Sequence, residues 1–272
     1  MNDARKREIR IKADSFRVNC KIGRYGIIDL FKECDRMGYK LLRYPLGENS
    51  DLGFMVKKDK DIVVFTNSCS RLSREIFTLA HEIGHVILHL NNTNSFIDDI
   101  ATINGRSSDE KEQEANYFAA CLLMPSEDVC KFIDLEIKDF SRNGLSAMDI
   151  ARIMSEFNVS FDMALNRLES LNVIDAKKKL LLDNDKTEKT VGNLLQGVGG
   201  NSKLNVASKV IDIPHEYIDY VIYNYNHNAI PIETLERVLD CYWLSVDDVS
   251  DKIVFHSDGE DDLDDLIGGL ED

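Results

Sequence analysis

SRLSREIFTLAHEIGHVILHL, residues 70–90, is the stretch from which the rest of the chain is understood. At 100° per residue, Ile76, Leu79, Ala80, Ile83, Ile87 and Leu90 fall on one stripe of a helix, with His81 and His85 on the opposite face. Such a helix is anchored by one side and leaves the other for chemistry. Two imidazoles at i and i+4 point the same way, about 6 Å apart along the axis, and can share one ion at about 2.0–2.1 Å. Glu82 is rotated off the line of the two rings. A divalent ion lowers the pKa of the water it polarises toward about 7, so a carboxylate placed there can take the proton as general base. Coincidence is a weak explanation: with six His and eighteen Glu in 272 residues, chance places H-E-x-x-H in roughly one such chain in a hundred.

Two imidazoles leave the site one protein ligand short. His89 lies about 12 Å along the axis from His81, too far for both to touch one ion. A metzincin would need its third His ten residues after the first, and position 91 is Asn. A carboxylate from another helix is therefore expected. Residues 108–124 form a helical pattern that ends before Pro125. On it Glu112, Asn116, Ala119 and Leu123 share a face, and Glu114 and Cys121 lie near the opposite side. This assigns Glu112 as the third ligand of one zinc ion per chain, with Asn116 holding a ligand imidazole; Glu114 is the alternative third ligand. The sequence does not name the group that stabilises the oxyanion: the zinc itself could serve as Lewis acid, and Tyr117, His89 or a residue of the second domain are the other candidates.

Upstream, residues 3–20 and 25–38 show helical patterns, and Gly38 is placed to stop the second. GFMV (53–56) and DIVVFTN (61–67) predict a β-hairpin. Ile62, Val63, Val64, Phe65 and Thr66 are expected as an edge strand beside the histidine helix, where an extended substrate could pair by main-chain hydrogen bonds. Downstream, helical residues run from 126 to 171 with a break near 142–145. Residues 146–171 give helix, short turn at 157–159, helix, and residues 232–253 repeat that layout loosely. The fold class is α+β, mainly helical.

Charge narrows the function. The chain carries 33 Lys+Arg against 48 Asp+Glu, a net charge of −15, which argues against a large basic groove for nucleic acid. The second helices of the two helix–turn–helix-like units hold Asp162 and Glu169 against Arg167, and Asp247, Asp248 and Asp251 against Lys252. Neither set can neutralise phosphates well, so the rival reading, a DNA-binding or protein-binding regulator, favours protein contacts. Residues 3–24 are basic, with eight cations against Asp3, Glu8 and Asp14. The final sixteen residues hold eight carboxylates and no base, the pattern of a solvated tail. No apolar run approaches the ~18 residues of a membrane span, no export signal is evident, and six cysteines without a CxxC pair suit a reducing compartment. A cytoplasmic protein is expected, with no membrane association and no direct nucleic-acid contact. The expected organisation is a catalytic domain at 1–125, a helix–turn–helix-like extension at 126–182, a linker at 183–202, a helical C-terminal domain at 203–256 and an acidic disordered tail at 257–272.

REIFTLAHEIGHVILH (74–89) followed by EQEANYFAACLLMP (112–125) resembles the ImmA/IrrE family of bacterial and phage metallo-endopeptidases, and the likeness is specific over about residues 50–125. The resemblance implies a zincin-like metalloprotease domain with a small sheet, followed by helical segments. It supports His81, His85 and Glu112 as zinc ligands and Glu82 as the catalytic residue. It further implies a protein substrate, a helix-turn-helix transcriptional repressor whose cleavage relieves repression of a prophage, mobile element or stress response.

Overall fold

Side-chain caps begin the first two helices. Asn2 Oδ1 accepts from the Arg5 N–H at 2.9 Å to start α1 (Asp3–Arg17), and Asp29 Oδ1 accepts from the Lys32 N–H at 3.2 Å to start α2 (Leu30–Arg36). Each satisfies an N–H that has no partner inside its helix. Gly38 follows α2 at φ +87°, a left-handed conformation that glycine takes without a Cβ penalty. The structure, a computed structural model, describes residues 1–47, 53–58, 60–90, 109–137, 144–214 and 216–254. Its elements fall into two compact units, Met1–Ile213 and Pro214–Asp272.

The first unit contains a three-stranded sheet of order β1-β3-β2, with β1 (Lys40–Tyr44), β2 (Gly53–Lys58) and β3 (Asp61–Asn67). The hairpin is present: β2 and β3 are antiparallel, with Met55 opposite Val64. The expected position of β3 at an edge is incorrect. β1 pairs with it in parallel, Leu41 opposite Val64, so Ile62–Thr66 form the central strand and both sides of its backbone are occupied. Lys40–Tyr44 offers only two apolar residues between charged ones, too short an alternation to announce a strand. Part of β1's other side is also covered, because Arg43 and Asp212 exchange both backbone hydrogen bonds, at 2.7 and 2.9 Å.

Helix α3 (Leu72–His89) packs on β2 and β3 and on α4 (Glu110–Leu123), which also carries α1. The apolar stripe is the buried one: Leu79, Ala80 and Ile83 are sealed in the same core as Ile9, Ala13, Phe118, Ala119 and Leu122. Gly84 marks the closest approach. A Cβ there would stand 3.1 Å from the Ala115 Cα and 3.2 Å from its carbonyl oxygen. Gly84→Ala should gain about 0.5–1 kcal/mol from helix propensity and lose about 1–3 kcal/mol from overpacking, because the obstructing atoms are the Ala115 backbone and the ring of the fully buried Phe118. The expected result is a net destabilisation on the order of 1 kcal/mol in urea unfolding.

Beyond Pro125, α5 (Ser126–Glu136) precedes helices Ala147–Phe157 and Phe161–Ser170, which are joined by a turn with Asn158 at φ +55°. Phe161, Ala164, Leu165, Arg167 and Leu168 of the second helix are buried, and Arg167 Nε donates to the Met124 carbonyl at 2.9 Å. The helix has thus spent its only cation on the core. The linker expected at 183–202 is instead largely helical, comprising the end of Ala176–Lys189 and all of Val191–Gly197. Its polar composition conceals Leu194 and Leu195, which are buried in the main core, as is Leu204. Residues 203–213 accordingly belong to the first unit.

In the second unit, helices Glu216–Asn226 and Ile232–Cys241 enclose a separate core of Val221, Ile222, Leu235, Leu239, Val249 and Ile253. The loose repeat expected over 232–253 does not form a second α-helix. Trp243 turns the chain at φ +61°, and Asp248 accepts from the Ser245 N–H and hydroxyl at 2.8 and 2.7 Å, leaving a short 3-10 turn at Asp247–Val249. The acidic segment 257–272 lies outside the described residues. Among the described residues, no helix is long and apolar enough to cross a membrane.

Candidate metal centre

One helical turn separates His81 from His85 on α3, and one turn separates Glu112 from Asn116 on α4. Packing the two helices at Gly84 brings these four side chains together. His81 Nε2 lies 3.0 Å from His85 Nε2, and the two nitrogens lie 3.2 Å from Glu112 Oε2 and Oε1 respectively. Ligands at about 2.0–2.1 Å around a tetrahedral ion are separated by about 3.3 Å, so this donor triangle has the dimensions such an ion requires. Its chemistry agrees as well: two imidazoles and a carboxylate leave one position open, as catalytic rather than closed structural sites do. Among the described residues, His81, His85 and Glu112 form the group able to hold a metal ion.

Each imidazole is held from behind. His81 Nδ1 is 3.0 Å from Asn116 Oδ1, as the face assignment on α4 predicts, and His85 Nδ1 is 3.1 Å from His89 Nδ1. Burial favours a neutral Glu112, but hydrogen bonds and charge from His81 and His85 outweigh it and hold that carboxyl well below the ordinary range. Burial likewise opposes a charged His81, yet the Glu112 hydrogen bond and neighbouring carboxylates raise its pKa overall. Protons therefore compete for these donors, and metal retention should weaken as pH falls.

Glu82 is buried beside the triangle, and its Oε1 has no hydrogen-bond partner among the described residues. Desolvation raises its pKa against the attraction of His81 and His85. Gly53, at the start of β2, lies beside it: a Cβ there would overlap Thr78 Cγ2, stand 2.9 Å from the Phe65 carbonyl oxygen and come 3.6 Å from Glu82 Oε1. Only glycine lets the strand pass this close. The opening residue of GFMV carries no signal of that role, because the neighbours that demand it lie on α3 and β3.

Glu114, the alternative third ligand, stands outside the triangle. Arg5 grips it with Nε–Oε1 at 2.7 Å and Nη2–Oε2 at 2.5 Å, and His89 Nε2 is 3.1 Å from Oε2. The Arg5 hydrogen bonds lower the Glu114 carboxyl to about 2. A folded pKa below the unfolded one gives stability that is present above about pH 4.5 and lost as pH falls toward about 2. Glu114→Gln should therefore cost about 1–3 kcal/mol near neutrality, and the deficit relative to wild type should shrink below pH 4.5 in chemical denaturation. Arg5 was not identified from sequence as a site residue. Its partner is 109 residues away, and nothing in α1 distinguishes it from the other cations there.

A cavity of about 1210 Å³ reaches Asn116, the residue behind His81, with Phe77 and Tyr117 also on its wall and Arg71 and Arg74 toward the N-terminus of α3; the triangle residues themselves do not line it. A donor triangle with an open position and a buried carboxylate on an α+β helical scaffold is the arrangement a metallopeptidase requires. The comparison of sequences is specific about which kind. The family model described as the IrrE N-terminal-like domain matches residues 34–169, half of the chain, and the protein belongs to the ImmA/IrrE family of metallopeptidases. No curated protein matches the chain significantly.

Proposed function

We propose that this protein is a zinc-dependent, site-specific endopeptidase that cleaves a helix-turn-helix transcriptional repressor and thereby relieves repression. The observation that carries the reading is the convergence of His81, His85 and Glu112 within one ion's reach, with Glu82 buried beside them. These three would hold the zinc, which when bound would supply Lewis acidity to the scissile carbonyl and acidify water. Glu82 Oε1, free of other partners among the described residues, takes the proton of the attacking water and returns it to the departing amide nitrogen, so its carboxylate is regenerated. Burial, by raising its pKa, makes Glu82 a better base than an exposed carboxylate. The substrate main chain pairs with β2, whose outer side faces no described strand and whose Gly53 lies beside Glu82. The cleft bounded by Phe77 and Tyr117 then receives side chains flanking the cut.

The repressor as substrate rests on the family relationship. A direct DNA-binding role finds less support, since the second helix of the helix–turn–helix-like pair buries its cation Arg167, while Asp162 and Glu169 are paired with Lys186 and Lys179 of the following helix. Incubating the zinc-loaded protein with the repressor encoded nearest its gene, and mapping new termini by mass spectrometry, tests the proposal. One new N-terminus that is absent with Glu82→Gln is expected. An intact repressor after prolonged incubation with zinc-loaded protein would remove this substrate assignment.

A further inference from the structure

His89 occupies the third turn of a histidine ladder, with ring centroids 4.6 Å apart from His81 to His85 and 5.1 Å from His85 to His89. It takes no part in the donor triangle, yet its side chain is almost fully enclosed, at 9% exposure, between His85 and Glu114. The hydrogen-bond directions along this line admit one consistent arrangement. A metal ligand needs a lone pair, and His85 faces the triangle with Nε2, so its proton resides on Nδ1. Nδ1–H can only donate, and its partner at 3.1 Å is His89 Nδ1, which must accept. The His89 proton is then on Nε2, which donates to Glu114 Oε2 at 3.1 Å. Ionised Glu114 only accepts, and Arg5 supplies two further N–H donors to it. Every link has a donor facing an acceptor, and reversing any one would place two protons or two lone pairs together.

We infer that Arg5, Glu114 and His89 form a positioning chain that fixes the tautomer and orientation of His85 and so sets the affinity of the site for its ion. The chain starts on α1, upstream of the family-matched residues 34–169, which gives the N-terminal helix a role in metal retention beyond covering α4. This rests on the proposed zinc site. Groups that hold a ligand imidazole typically contribute 10–100-fold to metal affinity.

The test is zinc affinity, measured on the full chain by competition with a chromophoric chelator, with circular dichroism melts of the zinc-free proteins alongside. His89→Leu keeps bulk but neither accepts nor donates, and should weaken zinc binding 10–100-fold. His89→Gln retains an acceptor and a donor in nearly the same places and should restore binding to within about 3-fold of wild type. Arg5→Ala should weaken binding several-fold. Unchanged zinc affinity in His89→Leu and Arg5→Ala would reduce the chain to a packing contact and overturn the inference, even if both variants melted earlier. So would equal losses in His89→Gln and His89→Leu. Failure of the wild type itself to bind zinc would instead overturn the metal reading on which this stands.

Discussion

Replacing Glu82 with Gln should abolish peptide hydrolysis, lowering turnover by at least 10²–10⁴-fold, the usual contribution of a positioned general base, while metal content stays at the wild-type level. The amide keeps the shape of the side chain but can no longer accept the water's proton. It also relieves the cost of holding a desolvated carboxylate with an unpartnered Oε1, so the variant should be at least as stable as wild type. The measurements are cleavage of the repressor, zinc by elemental analysis and a urea unfolding curve. Cleavage at the wild-type rate would show that Glu82 is not the base. Loss of zinc would show that the carboxylate serves as a ligand.

Removing a donor from the triangle should do the opposite, reducing metal retention first and activity as a consequence. A four-ligand structural zinc site has an apparent binding free energy of about 10–16 kcal/mol. One ligand of such a set corresponds to about 3–4 kcal/mol, or 10²–10³-fold in affinity. His85→Ala and Glu112→Gln should each lose about that much. Zinc at 100 times its dissociation constant should stabilise the wild type by about 2.7 kcal/mol, and at the same concentration the two variants should gain almost nothing. Differential scanning calorimetry with and without zinc reads this directly. Equal zinc-induced shifts in wild type and Glu112→Gln would remove Glu112 from the ligand set. The smaller, indirect effects expected of Arg5 and His89 provide an internal scale.

Local periodicity was sufficient for much of this protein. The spacing of His81, Glu82 and His85, the apolar stripe behind them and the shared face of Glu112 and Asn116 are all consequences of 3.6 residues per turn. They could be read before any packing was known, as could the hairpin at 53–67 and the stop at Gly38. What failed lay beyond that range. β1 has too few alternating residues to be seen alone, and only its parallel pairing with β3 moves Ile62–Thr66 from the edge to the centre. Leu194, Leu195 and Leu204 lie in polar stretches, and the main core, not composition, decides that they are buried.

The site divides along the same line. Which residues share a helix face follows from helical phase, a local property that two short motifs carry; which face of α4 meets the histidines does not. Which oxygen of Glu82 lacks a partner, why residue 53 is glycine, and which carboxylate Arg5 neutralises depend on contacts between elements far apart in the chain. Glu112 and Glu114 differ by two positions on one helix, and phase alone separates their faces. Only the placement of α1 gives Glu114 its own cation and leaves Glu112 to the histidines, because a helix surface specifies direction and the neighbouring element specifies what is met there.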